Sequence, residues 1–225
     1  MDTYSEVTTS INKGLDQITT EGGVRMGAMA KYLSSSSQAP INISEGSCVN
    51  RCRLGKYFNI GLYSYIADSQ IGRYCSLASR VSIGAFNHPT NWLSSHEFSF
   101  RDTSSIWGES SIEGGHNLLQ SGKIETIIGN DVWVGDNVVV LRGVNVGDGA
   151  ILGASSIVTQ DVPPYAIVVG NPGRVVRFRF HANVIEQLLS LKWWEWDMSD
   201  LKGLDFSDIH TTLEKLQQRR MTPVK

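Results

Sequence analysis

The chain has 225 residues, 41% of them hydrophobic, and a formal net charge of -2 at neutral pH. That length accommodates one domain with a full core, and the hydrophobic fraction excludes a disordered chain. The near-neutral balance gives no electrostatic reason to expect a nucleic-acid partner. No stretch approaches the ~18 apolar residues of a membrane span. The acidic, polar start MDTYSEVTTS has neither the basic nor the apolar region of a secretory signal, so a cytoplasmic location is expected.

Residues 1–40 read as an N-terminal extension, in which VRMGAMAKYLSSSSQAP suggests a short helix and then a loose serine-rich linker. From residue 41 a different pattern takes over. Aliphatic residues recur at Ile43, Val49, Leu54, Ile60, Ile66, Ile71, Leu77 and Ile83, then at every sixth position through Ile128, Val134, Val140, Val146, Leu152 and Val158. A period of six is neither helical nor that of a simple strand. It is the signature of a parallel β-helix, in which each hexapeptide forms one flat side of a triangular coil and stacked coils bury an apolar column. The steps to Leu54 and Ile71 are five residues, a local tightening that keeps register. Positions two before each aliphatic are predicted to face inward as well, and they are small or apolar, for example Val132, Val138, Ala150, Ser156, Phe58 and Ser64. Cys52 and Cys75 fall at such positions, which argues against a disulfide framework. Cys48 and Cys52 lack further ligands nearby, and no metal is expected.

The period breaks between residues 86 and 123, in a segment holding His88, Trp92, His96, Phe98, Phe100, Trp107 and His116. A loop this long inside a compact solenoid is uncommon unless functional. We read 86–123 as an active-site loop between a first set of coils (41–85) and a second (124–180). In residues 181–225, Val184, Ile185, Leu188, Leu189 and Leu191 form a helical stripe suited to capping the last coil, and KLQQRR reads as a solvated helix face.

Three motifs in this order carry a family resemblance: IIGNDVWVGDNVVVLRGVNVGDGAILGASSIVTQDVPPYAIVVGNPGRVVRFRF (127–180), AFNHPTNWLSSHEFSF (85–100) and IEQLLSLKWWEWD (185–197). Together they resemble the hexapeptide-repeat acyltransferases, in particular the xenobiotic acetyltransferase branch with its chloramphenicol, streptogramin A and sugar O-acetyltransferases. The resemblance covers about residues 50–200. It implies a left-handed parallel β-helix, a homotrimer with active sites between subunits, acetyl-CoA as co-substrate, and a small-molecule or glycan acceptor hydroxyl.

Acyl transfer to a hydroxyl needs a base with a pKa near the working pH, and histidine at ~6.5 suits. His88, in Asn87-His88-Pro89, matches the family's catalytic histidine. Glu97 is a candidate to orient a histidine, and Asn87, Trp92 and His96 are candidates for the acceptor pocket. Trp133 directly precedes a repeat aliphatic, so its indole should project outward, where something must cover it. By the resemblance, Trp133 lies along the pantetheine arm of the donor, with Asp136 beside it. Ala154 allows close backbone approach, and Thr159 and Gln160 form the next donor turn. Gln160 stands where the family often has lysine, which removes one possible phosphate contact. Arg174 and Arg177 offer guanidinium donors to the coenzyme A phosphates. A hydroxyl of a saccharide is the expected acceptor, with an antibiotic hydroxyl as the alternative and a non-catalytic binding scaffold as a remote one.

Overall fold

In the computed structural model, which describes residues 19–21, 23–110 and 124–221, the hexads build a three-sided solenoid. Its first face stacks Val24–Met26, Ile41–Ile43, Phe58–Ile60, Ser76–Leu77, Trp133–Val134, Ile151–Leu152 and Ala166–Val169 in parallel. The second stacks Lys31–Leu33, Cys48–Asn50, Tyr65–Ala67, Ser82–Ala85, Val139–Leu141 and Ile157–Val158. The third stacks Ser36–Ser37, Arg53–Leu54, Ser69–Ile71, Thr126–Ile128 and Asn145–Val146. Every repeat aliphatic from Ile43 to Val158 is buried, as are the inward residues two positions earlier, Cys52 and Cys75 included. Burial pushes both thiols up to about 12, which suits packing and leaves them unreactive at neutral pH.

The solenoid starts earlier than the aliphatic period indicates. Residues 24–37, expected to form a helix and a linker, make a complete coil whose strands pair with those of the next. Its inward positions are Val24, Met26, Tyr32, Ser35 and Ser37, all buried. A serine serves there because the coil satisfies it: Ser35 Oγ donates to the Leu33 carbonyl at 2.8 Å and accepts from the Cys52 amide at 2.9 Å. The steps Met26, Tyr32, Ser37, Ile43 also follow a six, five, six spacing. The five-residue steps fall on the edge between the second and third faces, where Ser34, Arg51 and Asp68 take φ of 46°, 54° and 44°.

The break after residue 85 contains a turn of 3-10 helix, Glu97–Ser99, and a one-turn helix α1, Ser104–Trp107. His116 and the rest of 111–123 lie outside the described residues. At the C-terminus, helices α2 (Ala182–Leu191) and α3 (Ile209–Met221) close the last coils. Val184, Leu188, Leu191, Trp194, Leu213 and Leu216 form a second core against Tyr165. Asp197 fastens this cap to the solenoid by accepting from Lys56 Nζ at 2.5 Å and from Arg73 at 2.7 Å. Among the described residues no helix is long and apolar enough to cross a membrane.

Candidate active site

The loop leaves the solenoid after Ala85, on the edge between the second and third faces, and the chain rejoins the third face at Thr126. His88 stands just beyond the exit with its ring exposed. Its Nδ1 lies 2.6 Å from the Ser95 carbonyl oxygen. A carbonyl only accepts, so this contact assigns the proton to Nδ1 and leaves the Nε2 lone pair free. The ring is also wedged between Phe86, at 6.0 Å, and Phe100, which it meets edge-on at 5.2 Å. Phe100 is buried and anchors the cluster. Among the described residues the Glu97 carboxylate pairs with Arg101 at 2.9 Å, and the group at His88 Nδ1 is a backbone carbonyl.

The acceptor-side candidates divide. Asn87 and Trp92 are exposed near His88 in sequence, among Thr90, Asn91 and Ser95. His96 is engaged in local structure instead: its ring accepts from the Phe98 amide at the start of the 3-10 turn and stacks on Trp107 at 5.0 Å.

The donor-side candidates fall into two groups. Trp133 projects outward from the first face and is 53% exposed. In register with it come Ile151, then Ile167, then Arg177 on the returning strand Arg174–Phe178. At ordinary strand spacing that ladder sets the backbones of Trp133 and Arg177 about 14 Å apart on one face. Arg174 and Arg177 are exposed, and among the described residues each bonds to a neighbouring backbone carbonyl, Gly173 and Phe178 respectively. Asp136 and Ala154 stack on the adjacent edge, between the first and second faces. The Asp136 carboxylate accepts from the Ser79 amide at 2.9 Å and so ties two coils together.

Thr159 and Gln160 sit elsewhere, after Ile157–Val158, on the same edge from which the His88 loop departs. One edge therefore bears His88, Thr159 and Gln160, while Trp133, Asp136 and Ala154 belong to the other side of the second face.

A three-sided parallel solenoid with a histidine-bearing excursion defines the hexapeptide-repeat class, and the comparisons agree. Residues 125–160 match the bacterial transferase hexapeptide (six repeats) model. The chain is 35% identical over 161 residues to a probable macrolide acetyltransferase of Lysinibacillus sphaericus, covering 70% of this chain and 87% of that one. It is 40% identical over 136 residues to a chloramphenicol acetyltransferase of Agrobacterium fabrum, covering 59% of this chain and 62% of that relative. The chain thus spans less than two thirds of the chloramphenicol enzyme's length. A mutant of AntD, an N-acyltransferase from Bacillus cereus in complex with dTDP and coenzyme A, shares the fold with a TM-score of 0.55 at 17% identity, over 75% of this chain and 87% of that one. The chain belongs to the bacterial hexapeptide-repeat transferase family.

Proposed function

We propose that the protein transfers an acetyl group directly from acetyl-CoA to an acceptor hydroxyl, as a cytoplasmic homotrimer, with His88 as general base. The observation that carries this reading is the 2.6 Å contact from His88 Nδ1 to the Ser95 carbonyl, which frees Nε2 on an exposed ring. Nε2 accepts the hydroxyl proton as the oxygen attacks the thioester carbonyl; the C–S bond breaks, and the imidazolium returns the proton to the departing sulfur. A covalent route through Cys75 has no support, since that thiol is buried and pushed up to about 12.

The trimer is supported by the division of the candidate residues between edges. A site holding both His88 and Trp133 is completed when the loop edge of one chain meets the Trp133 side of the next. Leu93, Ile106 and Trp107, all exposed on the loop, then gain cover. In this arrangement Trp133 packs along the pantetheine arm, Ala154 presents its peptide groups, Asp136 holds the edge in place, and Thr159 and Gln160 flank the donor from the other chain. Arg174 and Arg177 meet the phosphates. Trp133→Ala and Arg174→Ala are expected to raise the KM for acetyl-CoA, and the arginine effect should shrink at high ionic strength because exposed phosphate contacts are screened. An Arg174→Ala enzyme with unchanged KM at low salt would reduce Arg174 to a solvated surface charge.

For the acceptor we favour a saccharide hydroxyl. The exposed residues flanking His88 in sequence combine Trp92 and Leu93 with the hydroxyls and amides of Asn87, Thr90, Asn91 and Ser95, a composition suited to a polyhydroxylated ring with one apolar face. An antibiotic hydroxyl is the second reading, favoured by the names of the relatives. Free-thiol release from acetyl-CoA, measured over sugar nucleotides, lipid-linked glycans, chloramphenicol, streptogramin A and a macrolide, separates the two. We expect kcat/KM for a saccharide at least about tenfold above any antibiotic, since polar groups built for sugar hydroxyls are left unpaired by an apolar drug. Efficient turnover of an antibiotic with no saccharide used would reverse the choice of acceptor.

A further inference from the structure

We propose that Arg142 and Asp68 are positioning residues for His88: they clamp both ends of the excursion loop to the solenoid edge, and Arg142 transmits that position to the imidazole through the Phe86 ring. The proposal rests on His88 as the base.

The edge between the second and third faces is where the repeat is one residue short. Asp68 makes that tight turn in one coil; in the next coil the loop replaces the turn; Arg142 follows the strand of the coil after that. The loop is thus inserted between Asp68 and Arg142, and the two side chains close around its base. Arg142 donates to Asp68 Oδ2 at 2.8 Å and approaches the Gly84 carbonyl at 3.5 Å, just before the exit. Both side chains are 11% exposed. The Asp68 carboxylate also takes two bonds from Arg51, at 2.6 and 2.7 Å. Those contacts hold Asp68 below the usual carboxylate range despite partial burial, so the clamp keeps its charge at neutral pH.

From this anchored point the Arg142 guanidinium lies 5.7 Å from the Phe86 ring centroid. Phe86 packs on Phe100 at 5.6 Å, and His88 touches both. The return of the loop is tied to the backbone beside that pair. The Asp68 carbonyl accepts from the Thr126 amide at 3.1 Å, and Thr126 Oγ1 accepts from the amide of Gly143, the residue after Arg142. A buried ion pair is weak evidence of stabilisation in itself, but a planar guanidinium sharing an acid, a carbonyl and an aromatic face constrains geometry in a way an ammonium does not.

Arg142→Lys keeps the charge but loses the guanidinium that lies by the Phe86 ring. We expect kcat to fall about tenfold or more, the KM for acetyl-CoA to stay within about twofold, and thermal stability to change little. Phe86→Leu leaves the ion pair intact, removes the ring between Arg142 and His88 and should give the same split, so it decides the matter if Arg142→Lys fails to fold. Arg73→Lys alters an ion pair of the same kind away from the loop, Arg73 with Asp197 at 2.7 Å beside the Tyr74 ring, and serves as the control with kcat unchanged. A kcat within about twofold of wild type in both Arg142→Lys and Phe86→Leu overturns the proposal, as does an equal fall in Arg73→Lys. Hydrogen exchange of residues 86–100 gives a readout independent of turnover: faster exchange in Arg142→Lys supports the clamp even if His88→Ala were to retain activity and remove His88 as base, and unchanged exchange overturns it.

Discussion

Replacing His88 with alanine should lower kcat by a factor of about 10²–10⁴ while leaving the KM for acetyl-CoA within a few-fold. The size follows from what a positioned base supplies to proton transfer. The selectivity follows from placement, since His88 stands on the loop, apart from the ladder of Trp133, Ile151, Ile167 and Arg177. His88→Asn sharpens the test. An amide can still donate toward the Ser95 carbonyl but has no lone pair of useful basicity, so it should be about as slow as alanine. Retention of activity within tenfold of wild type in both variants, measured by thiol release, would falsify the assignment of His88 as base.

The aliphatic column is legible because a solenoid repeats one local environment, so every inward position restates the same requirement. The first coil is hidden in the sequence because it meets that requirement differently. Ser35 and Ser37 look like linker residues, and only the bonds of Ser35 to Leu33 and to Cys52, seventeen residues on, show why a serine can be buried there. His88 could be singled out as a candidate from its Asn-His-Pro setting. The group that meets its Nδ1 could not, because it is a backbone carbonyl and every residue has one. Glu97, the chemically obvious choice, is taken up by Arg101 four residues away, a pairing that helical spacing favours. Arg142 carries no local signal at all: its acid lies 74 residues earlier, and the two meet only because the register places Ala85 beside Leu141. A period of six names the residues that face inward. It does not say which side of the prism a segment occupies after a long loop, so the separation of Trp133 from His88 had to come from the strand pairing.

Gly84→Ala should combine a large loss of stability with a loss of turnover. Gly84 sits at φ +68°, in the left-handed region, where the register with the following coil shifts between Ile83 and Ala85 and the chain turns outward toward His88. The conformation alone costs an L-residue roughly 1–2 kcal/mol. Here a Cβ would also lie 2.1 Å from the Ala67 carbonyl oxygen and 2.7 Å from Ser69 Oγ. Neither atom yields easily, because Ser69 is fully buried and its hydroxyl donates to that same carbonyl at 2.6 Å. Relief therefore requires the loop exit to move, and with it the Gly84 carbonyl near Arg142 and the Phe86 ring that packs on His88. We expect a destabilisation of about 3 kcal/mol or more, seen as a fall in Tm on the order of 10 °C, and a fall in kcat of more than about tenfold in the fraction that stays folded. Gly108→Ala isolates the clash from the backbone conformation, since Gly108 has φ +76° and a Cβ added there would meet no atom of the described residues within 4 Å. It should cost about 1–2 kcal/mol at most. Equal stability losses in the two variants would show that the contact with Ala67 contributes nothing, and that the exit of the loop is set by something other than the fit of Gly84 against the preceding coil.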